Sequence, residues 1–151
     1  MTDLLKSKVY FFSLNVKASI YKRQNLKRFI ENLFKSEKKK IDRVNYIFCS
    51  DDYLLKISKT YLNHSSYTDI ITFRFSPKKD AIEGEIYISV DRVKENTKRF
   101  NVSFKNEIHR VIFHGALHLC GYEDKTKLEK RIMVKKENLY LSLYFKTGLK
   151  H

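Results

Sequence analysis

Hydrophobic positions recur along this chain with two periods, near 2 and near 3.6, and the switches between them divide it into elements. Residues 9–16, V-Y-F-F-S-L-N-V, are β-branched and aromatic and read as a first strand. Leu26, Phe29, Ile30, Leu33 and Phe34 then fall at i, i+3, i+4, i+7 and i+8, one face of an amphipathic helix that ends in S-E-K-K-K. Lys38, Lys39 and Lys40 in that run suit a solvated helix end, where cations complement the dipole. Val44 to Cys49 is a second strand. Ser50, Asp51 and Asp52 open a second helix with a capping hydroxyl and two first-turn carboxylates. Leu54, Leu55, Ser58, Tyr61 and Leu62 form its expected inner side.

After the polar stretch L-N-H-S-S-Y-T-D, Ile70, Thr72 and Arg74 alternate with Ile71, Phe73 and Phe75, the pattern of a half-buried strand. Pro77 and Gly84 bracket a loop, and G-E-I-Y-I-S-V follows as a strand expected to pair antiparallel with the one before it. Asp91 is placed to cap a short helix reaching about Phe100, and Ser103 to cap a longer one that runs to Cys120 and stops at Gly121. Thr126 and Glu129 form a T-x-x-E capping box for a last helix carrying Leu128, Ile132 and Leu139. Strand, helix, strand, helix, strand, strand and three helices predict an α+β fold, a small mixed β-sheet packed against helices, as a single domain over residues 1–151.

Composition agrees with that picture, since 42% hydrophobic residues over 151 positions can bury a core. No apolar run approaches the roughly 20 residues that span a bilayer, and the amino terminus lacks the pattern of a secretory signal, so a cytoplasmic protein without membrane contact is expected. Cys49 and Cys120 are then expected to be reduced thiols. Charge adds a partner class. Lys and Arg number 31 against 17 Asp and Glu, a formal +14, and such a surface attracts polyanions, of which RNA is the commonest in the cytosol.

The candidate chemistry lies in H-G-A-L-H-L-C-G-Y-E-D. His114 and His118 are one helical turn apart on the third long helix, so both imidazoles can reach one ion. Gly121 permits a left-handed exit that brings Asp124 back toward the same point. Two nitrogens and one carboxylate oxygen, with a fourth position left for water, make the donor set of a hydrolytic zinc site. Cys120, two residues from His118, points to another face of the helix and is expected to be a buried thiol. The spacing resembles that of metzincin proteases, but their general-base Glu follows the first His, and here Gly115 stands there, so a zinc protease is only a minor alternative.

The same segment resembles the signature of the YbeY family of rRNA-maturation endoribonucleases, H-G-x-L-H-L-x-G-Y-D followed by a third ligand, commonly His. T-D-I-I-T-F at 68–73 is similar to the family's T-D-V-L-S-F, and G-E-I-Y-I-S at 84–89 to its G-D-I-x-I-S. The resemblance covers about residues 45–137. It implies a zincin-like fold and one Zn(2+) per chain without a small-molecule cofactor. The implied activity is single-strand-specific RNA hydrolysis in late 16S rRNA 3'-end maturation and ribosome biogenesis or quality control. Single-stranded RNA, rRNA and the small ribosomal subunit are the implied partners.

His114 and His118 carry over as ligands. Asp124 stands where the commoner form has His, and Glu123 where it has Asp. A basic residue common shortly before T-D is absent, with Asn63, His64, Ser65 and Ser66 in that stretch and His64 or Lys59 as substitutes. Asp69 and Glu123 are candidates for the proton acceptor, Asp69 equally for orienting a ligand. Lys125, Lys127, Lys130, Arg131, Lys135 and Lys136 offer a basic helix face for RNA. The rival reading is a ribosome-assembly factor that binds RNA, its metal site purely structural.

Overall fold

The structure, a computed structural model, describes residues 6–63 and 67–148. His64, Ser65 and Ser66 therefore lie outside the described residues. Its elements are β1 (Val9–Ser13), α1 (Arg23–Ser36), β2 (Ile41–Cys49), α2 (Asp51–Ile57), a π-helical turn (Ser58–Leu62), β3 (Ile70–Phe75), β4 (Ile82–Ser89), α3 (Val90–Phe100), α4 (Phe104–Leu119) and α5 (Lys127–Gly148). Their order is the one that the hydrophobic pattern predicts.

The strands form one mixed sheet in the order β1-β2-β4-β3. β1 and β2 pair in parallel, as do β2 and β4, whereas β3 runs antiparallel to β4 with Ile70 opposite Ile88 and Arg74 opposite Gly84. β3 is thus an edge strand. Val9, Val44, Tyr46, Phe48, Ile82, Ile86 and Ile88 form the main core with Leu26, Ile30, Leu33 and Phe34 of α1 and with α4. The opposite side is covered by α2, where Leu54 and Ile57 pack with Cys49 and Ile71.

α4 is buried on more than one side. Phe113, Ala116 and Leu117 are buried as fully as Ile108, Val111 and Ile112, because α1 and α5 cover the side turned away from the sheet. Its close seat on the sheet follows from Gly115: a Cβ there would lie 2.7 Å from Ile86 Cγ2 and 3.0 Å from Ile70 Cδ1. Tyr46, fully buried, donates its hydroxyl to the Ile112 carbonyl at 2.8 Å, so the ring brings no unpaired polar atom into the core.

Several local expectations are corrected. β1 ends at Ser13, short of Val16, and Asn15 takes a left-handed φ of 54° that turns the chain. The α3 cap is Ser89, whose hydroxyl accepts from Arg92 N–H at 3.1 Å; Asp91 sits inside the first turn, and its carboxylate accepts from the Asp51 N–H. Beyond Ile57 the second helix widens into π winding, which changes the phase of its inner side. Ile57 and Ser58 are buried, while Tyr61 and Leu62 turn outward. In α5 the buried residues include Met133, Glu137, Tyr140, Leu141 and Tyr144, and Leu128, Ile132 and Leu139 are exposed. Its capping box forms as expected, Thr126 N–H to Glu129 and Glu129 N–H to Thr126 Oγ1.

Candidate metal centre

α4 carries His114 and His118 on the side facing β3, with ring centroids 4.5 Å apart and planes nearly perpendicular. At its end Gly121 adopts a φ of 108°, and the Gly121 and Tyr122 N–H groups return to the His118 and Leu117 carbonyls. This reversal brings Asp124 back over the helix: its Oδ2 lies 3.3 Å from His114 Nε2 and 3.4 Å from His118 Nε2. One donor atom from each of the three residues lies within 4.8 Å of the others, a cluster able to hold a metal ion.

The fit can be tested on these distances. Ligand atoms around a tetrahedral ion with bonds of about 2.0–2.1 Å stand roughly 3.3–3.4 Å apart. The two His–Asp separations match that spacing. The ring tautomers match as well, since both Nδ1 atoms are engaged elsewhere and both Nε2 lone pairs are left to face the ion. His118 Nδ1–H donates to the Tyr122 carbonyl at 2.8 Å. His114 Nδ1 is 2.5 Å from Glu137 Oε2.

Glu137 was not singled out from the sequence, because its partner is 23 residues away on another element. It is 3% exposed, and its second oxygen accepts from Arg110 at 3.2 Å. Arg110 in turn bonds both oxygens of Glu107, which is also buried, and the bonds to Glu107 and Glu137 outweigh desolvation in raising its pKa, so it stays charged. Asn96 donates to Glu107 at 3.1 Å and to Asp69 at 3.0 Å. A continuous polar network therefore runs from His114 through Glu137, Arg110, Glu107 and Asn96 to Asp69. A carboxylate behind a ligand histidine fixes the ring and raises its basicity. A glutamate on the inner side of a helix otherwise rich in Leu and Tyr was the one signal available.

A second tether holds the loop. Tyr122 donates its hydroxyl to Glu37 at 2.6 Å, Tyr140 donates to the same carboxylate, and Lys136 lies 3.1 Å from it. Burial pushes the Glu37 pKa up, but these three donors outweigh it and hold the group below its ordinary value of 4.5. Glu37 thus anchors the residue whose carbonyl orients His118.

The three candidate ligands line a cavity of about 350 Å³ together with Thr68, Asp69, Ile70, Thr72, Arg110 and Val111. Of the two carboxylates considered as proton acceptors, Asp69 lies in this wall, whereas Glu123 is exposed and is not part of the lining. Arg110 is the cation of the lining, and Lys59 and the basic residues of α5 are not part of it. Cys120 is buried, as expected, and burial pushes its thiol up to about 12, too high for an easy thiolate. Gly115 packs against Ile86 and Ile70, so a larger side chain at that position has no room without a shift of its neighbours.

A family model described as Endoribonuclease YbeY matches residues 13–144. Endoribonuclease YbeY of Cytophaga hutchinsonii is 46% identical, over 89% of this chain and 94% of its own. That of Christiangramia forsetii is 42% identical, over 92% of this chain and 96% of its own. Among solved structures, the solution structure of TM1509 from Thermotoga maritima superposes with a TM-score of 0.67 at 26% identity, covering 94% of this chain and 92% of that one.

Proposed function

The chain belongs to the YbeY endoribonuclease family, and from that premise we propose that it is a cytoplasmic, zinc-dependent endoribonuclease acting on single-stranded RNA, with rRNA of the small ribosomal subunit as substrate. The observation that carries the zinc assignment is the pair of His–Asp separations, 3.3 and 3.4 Å, with both Nδ1 atoms engaged elsewhere. His114, His118 and Asp124 hold one ion per chain. When bound, the ion supplies a Lewis acid for a phosphoryl oxygen and a water of lowered pKa.

The remaining work falls to side chains of the cavity. Asp69, steadied by Asn96 at 3.0 Å and standing 3.8 Å from Arg110 in the cavity wall it shares with Thr68, takes the proton of the attacking group. Arg110 keeps a positive charge in that wall, suited to a phosphodiester, while its bonds to Glu107 and Glu137 fix its place. β3, whose Ile70 and Thr72 line the cavity, is an edge strand that an extended chain can run beside, which favours single-stranded over duplex substrate. The whole of residues 1–151 acts as one domain in this reading.

Purified protein is expected to cut a labelled single-stranded RNA at internal positions, to lose that activity with a chelator and to regain it with zinc. A duplex of the same sequence should be cut far more slowly. Chelator-resistant cleavage, or equal rates on both forms, contradicts the proposal. Stoichiometric zinc in a protein that binds but never cuts RNA favours the rival assembly-factor reading.

A further inference from the structure

Lys38, Lys39 and Lys40 are solvent-exposed, as expected of a helix end, but they do not stand alone. They surround a hollow of about 330 Å³ with Arg74, Lys78 and Lys79, six cations against the single acid Asp80. Asp80 lies 3.6 Å from Lys40, and Asp42 is 3.1 Å from Lys79. Among the described residues Lys38, Lys39 and Lys78 have no carboxylate within 4 Å, and Arg74 is engaged only by the Lys79 carbonyl. The cations come from two parts of the sequence, the segment that follows α1 and the end of β3 with its connection to β4. Their meeting is a property of the fold, which the run of lysines alone does not reveal.

The hollow is joined to the metal cavity by edge strand β3. Ile70 and Thr72 line the cavity, and Arg74, next on the same face, lines the hollow. Four residue steps of strand, roughly 13 Å, separate Ile70 from Arg74. Lys38 also stands in a left-handed conformation, φ 59°, which glycine adopts at less cost.

We propose that this hollow is a phosphate-binding subsite for single-stranded RNA, gripping the backbone several nucleotides from the bond held in the metal cavity, with the strand laid along the outer edge of β3. The proposal rests on the endoribonuclease reading for its direction, but binding and cleavage test the two separately. Each lysine that neutralises a phosphate of a single strand adds about 0.7 to the slope of log affinity against log salt.

The test measures binding of a fluorescent single-stranded RNA of roughly 12 nucleotides, a length suited to such a groove, with chelator present to stop cleavage. It compares the parent, a Lys38→Gln, Lys39→Gln, Lys78→Gln triple variant, and a Lys94→Gln, Lys98→Gln, Arg99→Gln triple variant of equal charge on α3. The hollow variant is expected to lose at least tenfold in affinity at low salt, its slope lower by about 2. The α3 variant is expected to stay within about threefold of the parent. Lys38→Gly should weaken binding while leaving the protein no less heat-stable, which separates loss of a contact from loss of the fold. Equal weakening in both triple variants, or parent-like binding by the hollow variant, overturns the subsite. If cleavage is absent in the parent but the binding pattern holds, the nuclease reading falls and the subsite stands. If the parent cleaves and the hollow variant binds like it, the reverse follows.

Discussion

Glu137 shows how much of the centre depends on a residue that contacts no ion. It holds His114 with one oxygen and Arg110 with the other, both from a nearly buried position. Replacing it with Gln leaves the volume but removes the charge, and zinc affinity is expected to fall about 10- to 100-fold. Competition with a chromophoric chelator measures this, and an unchanged affinity would remove Glu137 from the centre's support. The ligands themselves were legible because a helix repeats every 3.6 residues and Gly121 marks where it ends. Glu137, Asn96 and Arg110 were not, since their partnerships join α3, α4 and α5 across the fold. Glu123 neighbours Asp124 in sequence, yet it is exposed and is not among the described residues that line the cavity.

At the level of elements, the junction between β4 and α3 is more specialised than a cap. Ser89 is completely buried, accepts from Arg92 N–H and donates to Asp51 Oδ1 at 2.9 Å, and Arg92 pairs with Asp51 at 2.7 Å. Ser89→Ala is expected to cost about 1–2 kcal/mol, whereas Asp91→Ala should cost less, because Asp91 is not the cap. Urea denaturation of the two variants checks the order. Gly115→Ala is expected to destabilise by about 1–3 kcal/mol through overpacking against Ile86, even though alanine suits a helix better. Element order and the antiparallel pairing of β3 with β4 could be read from periodicity and turn residues. The inner face of the second helix could not, because π winding shifts its phase, and neither could that of α5, where Tyr140 and Tyr144 go inside while three aliphatic residues stay out.

Across the whole molecule, acid should act through histidine before it acts through carboxylates. Burial is the main cause that holds His109 below its ordinary value of 6.5. Its Nδ1–H donates to the Lys105 carbonyl at 2.6 Å, and its Nε2 is buried with no hydrogen-bond partner among the described residues, the ring lying against Phe113, Tyr144 and Phe145. The unfolded chain therefore takes up the proton first. The contribution is full above about 6.5 and is lost as pH falls from there toward the lower folded value. Urea midpoints should drop between pH 7.5 and 5.5, and His109→Phe should flatten that drop. A variant as acid-sensitive as the parent would assign the effect elsewhere. Glu37, held below 4.5, adds a second loss at still lower pH.

If the cluster of His114, His118 and Asp124 both holds the metal and serves RNA cleavage, Asp124, the ligand type in which this chain departs from the commoner pattern, is the residue on which to test it. Zinc content and single-stranded RNA cleavage should be measured on the same preparations of parent and Asp124→Ala, with thermal melts to show that both are folded. About one zinc per chain is expected in the parent, with loss of most of it in the variant and a fall in cleavage rate of at least a hundredfold, about 2.7 kcal/mol of barrier. A folded Asp124→Ala protein that retains full zinc and cleaves at the parent's rate would contradict it.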